Sequence, residues 1–327
     1  MLGFRVAFAV FTALLTVFPG GWARAAQPFA GKTILWVDSY EPGYAWSAGL
    51  ERGIRGVLAG SGVRLEIIRL DVNRAGSDPS RKEAGARAYA RLLEIAPDVV
   101  IASDDAAQED LVVPYLRDGA LPVVFCGVNW DASMYGYPAP NVTGMVEVEA
   151  VDDMVRLMRR DARGPRIGYI SGKTSTDYKI SSILNKRFFG GAMKTYFAED
   201  FEEYKRLFSL AQRENDMLFL RNFAGIEGWD HDKARDFLAL KTRLPTASPL
   251  DFMADFVVYS IGKVPEEQGE WAARAALRIL GGESPAGIPM AVNELAKLTV
   301  NLDMAKAAGI DIPLSLRKAA EVLGQGR

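Results

Sequence analysis

The chain has 327 residues, with 39 Lys plus Arg against 41 Asp plus Glu and a formal net charge of −2. This mildly acidic balance argues against nucleic acid or an anionic membrane surface as a partner, because either would call for a basic face. The single cysteine, Cys126, excludes an intramolecular disulfide. The length suits two domains of ordinary size.

The first 25 residues have the pattern of a secretory signal peptide. Met1–Arg5 carries one positive charge, Val6–Phe18 is uncharged, and Ala23-Arg24-Ala25 is a small-residue cleavage signal. The uncharged run is shorter than the roughly 20 residues that a spanning helix needs. Cleavage before Ala26 would lower Lys plus Arg from 39 to 37 against 41 acids. We therefore expect a periplasmic or secreted protein that is not inserted in the membrane after cleavage.

From residue 34 onwards, apolar runs of strand length alternate with amphipathic segments of helix length. The first block predicts strands over Ile34–Val37, Leu65–Leu70, Val99–Ala102 and Pro122–Cys126. Its helices are expected over Ser47–Ala59, Arg81–Ile95 and Ala106–Leu116. Such alternation is typical of parallel strands with helices on both faces, joined by right-handed crossovers. The predicted fold class is therefore α/β.

The pattern then restarts for a second block. Strands are predicted over Arg166–Ile170, Met193–Phe197, Met217–Leu220 and Leu244–Ser248. Helices are predicted over Ala150–Arg160, Ile180–Phe189, Phe201–Arg213 and His231–Leu240. Two successive α/β blocks indicate two lobes, with the seam near Asn141–Gly144.

The C-terminal part does not fit two consecutive domains. It predicts strands over Phe256–Ile261 and Leu298–Leu302, and helices over Pro265–Leu280 and Asp303–Ala308. Gly281-Gly282 after the longer helix is a good stop signal. These elements are too few for a third domain. We therefore expect them to complete the two sheets already begun, with the chain crossing back between the lobes.

Signatures of catalysis are mostly absent from the sequence. His231 is the only histidine, which excludes a zinc site with two histidines. No G-x-S-x-G nucleophile turn occurs. Gly172-Lys173-Thr174 resembles the end of a P-loop, but position 167 is isoleucine where that motif requires glycine. We expect neither an enzyme nor a bound cofactor.

A group of acids follows the third strand of the first block. Its members are Asp104, Asp105, Glu109 and Asp110. One interpretation is a hard-cation site, which needs several oxygens converging on one point. The other is that these acids complement the dipole at the start of a helix. The helix interpretation is favoured, and no metal site is predicted.

The end of the first predicted strand concentrates polar and aromatic side chains. Asp38 and Ser39 end the strand, and Tyr40, Tyr44 and Trp46 flank a Pro-Gly turn. In α/β sheets, ligands bind in the crevice beyond the carboxyl ends of the strands. Apolar walls with a few placed polar groups are typical of a small-molecule pocket. The alternative is that the three aromatic rings cover the core from a loop.

Other predicted strands are also followed by polar side chains. The further candidates are Ser103, Asp104 and Asn129 in the first block, and Ser171, Thr174, Arg221, Asn222 and Asp251 in the second. Each one alone is compatible with ordinary loop chemistry. Their recurrence at one edge of two sheets favours a ligand-binding cleft between the lobes.

Four segments of the chain resemble a known family. They are Pro122–Asn129, Asn141–Met145, Gly269–Pro285 and Asn301–Pro313, of which the last is the most specific. On these segments the sequence is similar to the substrate-binding proteins of ABC transporters, in the group that includes tryptophan- and tyrosine-binding members. The match covers most of the chain beyond the expected signal peptide.

This resemblance implies a periplasmic binding protein fold of type I, with two Rossmann-like lobes of mostly parallel sheets joined by three hinge crossings. The crossings are expected near Val142–Met145, Val258–Gly262 and Pro289–Asn293. The lobes would then comprise residues 26–143 with 262–290, and residues 144–261 with 291–327.

The activity implied by the resemblance is non-catalytic. The lobes would close on a small molecule and deliver it to an ABC permease. The three aromatics of the first turn would enclose an amino-acid-like or aromatic solute, and Asp38 and Asp104 would receive its ammonium group. Arg221 would clamp a carboxylate, since its planar fork suits two parallel hydrogen bonds. The alternative for Arg221 is a surface charge that faces a helix.

The segment Asp38–Trp46 also resembles a subset of these proteins that occur beside, or fused to, sensor kinases. A second hypothesis is therefore a periplasmic sensory adaptor, whose ligand-bound form is presented to a membrane receptor or sensor kinase. Both hypotheses predict the same two-lobed soluble part.

Overall fold

The computed structural model describes residues 27–72 and 78–325. The expected signal peptide, residues 1–25, lies outside the described residues. Within them the chain forms two α/β lobes, each built on one sheet. No helix in these two ranges is both long enough and apolar enough to span a membrane.

The first lobe is built on a parallel sheet of six described strands. In spatial order they are β11 (Ala291–Val292), β5 (Val142–Glu147), β4 (Val123–Asn129), β3 (Val99–Ser103), β1 (Thr33–Asp38) and β2 (Arg64–Arg69). The helices of this lobe are α1 (Ala45–Leu58), α2 (Asp78–Ile95), α3 (Asp104–Ala107), which continues as a π-helix over Gln108–Leu116, and α8 (Pro265–Leu280).

Both faces of the first sheet are buried because helices cover each side. Ile34 and Trp36 pack in the cluster beneath α1 and α8, whereas Leu35 and Val37 pack in the cluster on the opposite face. This alternation follows from the two-residue period of a strand. Helices α1 and α8 approach closely, since a Cβ at Gly53 would lie 2.3 Å from the Glu266 carbonyl oxygen.

The second lobe is built on a mixed sheet of seven described strands. In spatial order they are β13 (Glu321–Leu323), β12 (Ala296–Asn301), β10 (Tyr259–Lys263), β9 (Thr246–Ser248), β8 (Met217–Asn222), β6 (Ile167–Gly172) and β7 (Lys194–Ala198). Only the pairing of β10 with β12 is antiparallel within these described strands. The helices of this lobe are α4 (Val151–Arg159), α5 (Ser175–Phe188), α6 (Phe201–Glu214), α7 (His231–Lys241), α9 (Leu302–Ala308) and α10 (Leu314–Ala319).

Three connections join the two sheets, as the fold expected from the resemblance requires. The chain leaves the first sheet after Glu147, returns from β10 to α8, and leaves again from β11 to β12. The segment Val142–Met145, expected as the first crossing, lies within strand β5. Its Gly144 faces the Phe125 ring of β4, because a Cβ there would lie 2.3 Å from that ring. Sequence analysis also missed the short strands β11 and β13.

The three connections are tied to one another by side chains. Glu147 at the first connection forms an ion pair with Lys263 at the second. Asn293 at the third connection accepts a hydrogen bond from the Val148 backbone N–H at 2.7 Å and donates one to the Val148 carbonyl at 3.2 Å. Glu267 of α8 accepts from the backbone N–H groups of residues 294 and 295. The connections therefore form one braced region rather than three independent linkers.

Candidate functional site

The carboxyl ends of strands from both sheets meet at the boundary between the lobes, which we call the cleft. Several contacts join the two sides: the Glu147–Lys263 ion pair, an ion pair between Arg221 and Glu149 at 2.9 Å, and Lys179 Nζ at 3.8 Å from Asp105. The sequence analysis expected strand ends of the two sheets to face each other in this way. Ligand sites of α/β proteins commonly occupy such a position.

The aromatic turn after β1 forms one wall of the cleft. The rings of Tyr40 and Tyr44 lie with centroids 4.4 Å apart and tilted by 41°. Trp46, in the first turn of α1, donates a hydrogen bond from Nε1 to Asp104 Oδ1 at 3.0 Å. Burial, followed by the nearby Asp104 carboxyl, raises the pKa of Tyr40 well above its ordinary value. The phenol of Tyr40 is therefore neutral at physiological pH.

Asp104 is the most unusual polar residue of the cleft. It is only 5% exposed, and its backbone has a left-handed φ of 69°. One carboxyl oxygen accepts from Trp46, while Oδ2 has no hydrogen-bond partner among the described residues. Burial, followed by the carboxylates of Glu147, Asp38 and Asp105, raises the pKa of Asp104 well above its ordinary value. A buried polar atom without a partner is costly, so its presence requires an explanation.

Glu147 and Lys263 were not singled out by the sequence analysis. They end β5 and β10, and both side chains are less than one-tenth exposed in their ion pair. The Lys263 ammonium also lies 5.9 Å from the centroid of the Trp46 ring. The only sequence signal for Lys263 is its place at a strand end immediately before the Pro265 helix start. Nothing in the sequence indicated Glu147, because strand β5, which it ends, was not predicted.

Arg221 is buried at the end of β8 and is not a surface charge. Its guanidinium pairs with Glu149, and both side chains are almost completely buried. Arg221 Nε and both carboxylate oxygens of Glu149 have no hydrogen-bond partner within the part of the chain that the structure describes, although Arg221 Nη2 lies 2.9 Å from Glu149 Oε1. The pair thus links the second sheet to the first connection between the lobes.

Asp38, Ser39 and Ser103 are brought together inside the first lobe. The Asp38 carboxylate accepts from Ser47 Oγ at 2.8 Å and forms an ion pair with Arg69. Ser39 Oγ donates to the Ser103 carbonyl at 2.7 Å, and accepts at 3.0 Å from a backbone N–H of α3. Ser103 Oγ in turn lies 3.3 Å from Asp38 Oδ1. These bonds hold the turn after β1 against the start of α3.

Asn129 belongs to a second polar group at the end of β4. Its amide donates to Asp105 Oδ2 at 2.8 Å, while the Tyr135 hydroxyl donates to Asp105 Oδ1 at 2.6 Å. Lys179 of the second lobe approaches the same carboxylate. Trp130, next along the chain, packs edge-on against Phe188 of α5 with centroids 5.6 Å apart. This group therefore joins the two lobes beside the aromatic turn.

The candidates of the second lobe are mostly engaged in local hydrogen bonds. Ser171 Oγ donates to the Asn222 carbonyl at 3.3 Å, and Asn222 Oδ1 accepts from the Ala224 backbone N–H at 2.9 Å. Thr174 caps α5 by accepting from the Asp177 backbone N–H at 3.0 Å. Each of these groups is therefore explained by local structure.

Asp251 lies near enough to the Lys297 and Lys263 ammonium groups for their charges to act on it, while partial burial of its carboxyl raises its pKa overall. It is exposed at the start of a 3₁₀ helix over Asp251–Phe256, against Gly262 of β10. A Cβ at position 262 would overlap the Asp251 carboxylate, so a side chain there would displace this carboxylate. Across the described ranges, no group of three or more His, Cys, Asp or Glu side chains is arranged to hold a metal ion.

Comparisons with known proteins identify the fold. No protein-family model and no curated protein sequence matches the chain. It is similar to a ligand-free, open substrate-binding protein with adhesive properties from Clostridium difficile, with a TM-score of 0.68 at 16% identity. That alignment covers 89% of this chain and 99% of the other.

Two further solved structures share the architecture. The ABC domain from Streptococcus pneumonia in complex with L-Trp aligns with a TM-score of 0.63 at 16% identity, covering 89% of this chain and 99% of that one. An ABC transporter solute-binding protein from Bradyrhizobium sp. BTAi1 with bound Bis-Tris aligns with a TM-score of 0.53 at 14% identity, covering 87% and 86%. At such identities the likeness shows the fold. The expected α/β fold of two lobes with mostly parallel sheets is confirmed.

Proposed function

We propose that the protein is an exported solute-binding protein, which captures a small molecule between its lobes and delivers it to an ABC permease. The observation that carries this proposal is the buried, unpartnered oxygen of Asp104 beside the aromatic turn, at the cleft between the two sheets. Structural neighbours named as substrate-binding proteins support it at the level of the fold. The mechanism is binding without chemistry.

Capture would proceed by rotation of the lobes about the braced region formed by the three connections. Hinge motion requires only that a few residues at the ends of elements absorb the rotation. A ligand drives closure only by as much as it binds the closed form better than the open one. The ion pairs of Glu147 with Lys263 and of Arg221 with Glu149 lie at this boundary, so their geometry would respond to closure.

A thermal-shift screen tests the proposal. We expect at least one compound among amines, amino acids, nucleosides, sugars and small acids to raise the melting temperature, because a ligand that binds only the native state stabilises it by mass action. At a hundred times its Kd, a ligand contributes about 2.7 kcal/mol. Tyr40→Ala and Trp46→Ala should abolish that shift, whereas Tyr115→Ala, which removes a ring stacked on Tyr89 outside the cleft, should retain it.

Export and the permease need separate evidence. Amino-terminal sequencing of the protein secreted by its host should find Ala26 as the first residue, and a full-length cytoplasmic product would contradict the expected signal peptide. The resemblance of Asp38–Trp46 to signalling-associated proteins favours the sensory adaptor as the second candidate. Ligand-dependent cross-linking to a permease supports transport, while cross-linking to a sensor kinase supports signalling.

A further inference from the structure

The charges at the cleft do not balance. Asp38 is paired with Arg69 inside the first lobe. Within the described part of the chain this leaves three cations at the boundary against four acids, which are Asp104, Asp105, Glu147 and Glu149. Lys263 pairs with Glu147, Arg221 pairs with Glu149, and the nearest carboxylate to Lys179 is Asp105. Asp104 is the acid that has no cationic partner in the described ranges. One acid is therefore left without a cation, and a bound cation would take the place of the proton that the raised pKa of Asp104 favours.

The surroundings of Asp104 are those of a cation site. Trp46 donates to one carboxyl oxygen and leaves Oδ2 unpartnered in a region where Tyr40 and Tyr44 are close enough to be affected by its charge. Aromatic faces attract cations within about 6 Å of the ring centroid. The Lys263 ammonium already lies 5.9 Å from the Trp46 centroid, so this wall accepts an ammonium group in the structure itself.

A ligand carboxylate would find no comparable partner. Arg221 is the buried guanidinium of the cleft, and its charge is neutralised by Glu149 at 2.9 Å. An incoming carboxylate would be placed beside Glu149, whose side chain is 1% exposed. Like charges in such a buried position repel strongly, because little water screens them. An acid group on the ligand is therefore disfavoured at Arg221.

We infer that the cleft binds an organic cation, an amine or quaternary ammonium compound with an aromatic or aliphatic body and no carboxylate, with Asp104 as its counter-ion. The inference rests on the proposed solute-binding function and names its ligand class. The rings of Tyr40, Tyr44 and Trp46 surround the body of the ligand. The cation supplies a hydrogen bond or direct contact to Asp104 Oδ2, which has neither in the described structure.

Matched compounds that share one body test the charge requirement. Tryptamine carries only an amine, L-tryptophan carries an amine and a carboxylate, and indole-3-propionate carries only a carboxylate. The same series is measured on a phenyl body, with phenethyltrimethylammonium as the quaternary member. Titration calorimetry should show the amine binding more than about tenfold tighter than the amino acid, with no binding of the acid. Tighter binding of an amino acid or an acid than of its amine would overturn the inference and leave solute binding intact.

Two variants separate the counter-ion from the fold. Asp104→Asn keeps an acceptor for Trp46, and asparagine tolerates the left-handed backbone at this position. It should weaken amine binding more than about tenfold, since it removes the charge that pairs with the cation. Asp232→Asn, on the exposed face of α7, is the matched control and should leave affinity unchanged.

The remaining outcomes are equally decisive. Unchanged amine affinity in Asp104→Asn, with a native circular dichroism spectrum, would overturn the role of Asp104 as counter-ion. Trp46→Phe provides a second measurement, because it keeps a ring but removes the indole N–H, and it should reduce amine affinity less than Asp104→Asn does. If a neutral compound binds and every cation fails, the ligand class is wrong. If no compound of any class binds, the proposed function itself is wrong.

Discussion

The two sides of the cleft differ in whether the polar groups at their strand ends have hydrogen-bond partners. On the first-lobe side, Asp104 keeps a buried oxygen without a partner beside three aromatic rings. On the second-lobe side, the Ser171 hydroxyl, the Thr174 hydroxyl and the Asn222 amide oxygen are all used within the protein. Both sides follow parallel strands of the same topology, so strand position alone does not separate them.

The difference indicates which side recognises the ligand. Leaving a buried polar group without a hydrogen bond costs about 1–3 kcal/mol, and proteins tolerate such costs mainly where the group serves the function. Under the proposed solute-binding function, we therefore expect the first lobe to carry the recognition groups. The second lobe contributes hydroxyl and amide groups that already have hydrogen-bond partners, together with Lys263 and Arg221. The charges of these two side chains are paired at the boundary, although Arg221 Nε has no hydrogen-bond partner among the described residues.

The largest effect is expected at the boundary between the lobes. Lys263→Met removes the partner of Glu147, which is 6% exposed, and leaves a buried carboxyl without its cation. Breaking one side of a buried ion pair typically costs 3–5 kcal/mol, and we expect about 3 kcal/mol because Glu147 can take up a proton. Urea unfolding followed by tryptophan fluorescence measures this loss.

Two further variants show whether burial causes the effect. The double variant Glu147→Gln with Lys263→Met should recover most of the lost unfolding free energy, because no buried charge remains unpaired. Lys297→Met breaks an ion pair with Glu321 in which both side chains are about half exposed, and it should cost less than about 1 kcal/mol. Equal losses of unfolding free energy in Lys263→Met and Lys297→Met would show that the buried boundary pair contributes no more to stability than an exposed pair.

Most of the fold could be predicted because its pattern is local. Apolar runs and amphipathic segments identified most strands, and they are found within a few residues of the expected positions. Strand β5 was missed because Thr143 and Gly144 interrupt its apolar run, although all six residues from Val142 to Glu147 are buried. Strand β11 has two residues and depends on pairing with β5, so it had no signal of its own.

The candidate site was less predictable, since its chemistry depends on which side chains meet. The strand-end rule identified Asp104 and Trp46, which lie 58 positions apart and form a direct hydrogen bond. The strand-end rule could not show that Asp38 accepts a hydrogen bond from Ser47 and pairs with Arg69, or that Thr174 caps a helix. Pairings between distant residues, such as Arg221 with Glu149, become visible only when both sheets are assembled.

An intermediate effect is expected on the second-lobe side, at Thr174. Its hydroxyl accepts from the Asp177 backbone N–H and donates to the Asp177 carboxylate at 2.6 Å. Thr174→Ala should lower the unfolding free energy by about 1 kcal/mol, which is typical of a lost helix cap. Thr174→Ser should retain stability because it keeps the hydroxyl. Neither change should alter ligand affinity; a loss of affinity without a loss of stability would place this hydroxyl against the ligand.

The smallest change in stability is expected at Asp104, where the largest change in binding is predicted. Because the native pKa of Asp104 is raised above the unfolded value, the native state holds a proton that the unfolded state has lost. The contribution of Asp104 to the stability of the wild-type protein therefore falls as the pH rises above about 3.8, toward the native pKa. The acids that face Asp104 are Glu147, Asp38 and Asp105, and they remain in the variant.

Asp104→Asn removes this single titration and leaves the rest of the cleft unchanged. We expect its unfolding free energy to match that of the wild type near pH 4 and to exceed it by less than about 1 kcal/mol at neutral pH, since replacing a destabilising functional group commonly stabilises a protein. Urea unfolding across this pH range measures the difference, and Asp232→Asn should follow the wild type throughout. A variant that is less stable than the wild type at neutral pH would mean that the Asp104 carboxylate stabilises the fold. The contrast between the two sides of the cleft would then lose its physical basis, because Asp104 would be a satisfied structural residue like Thr174.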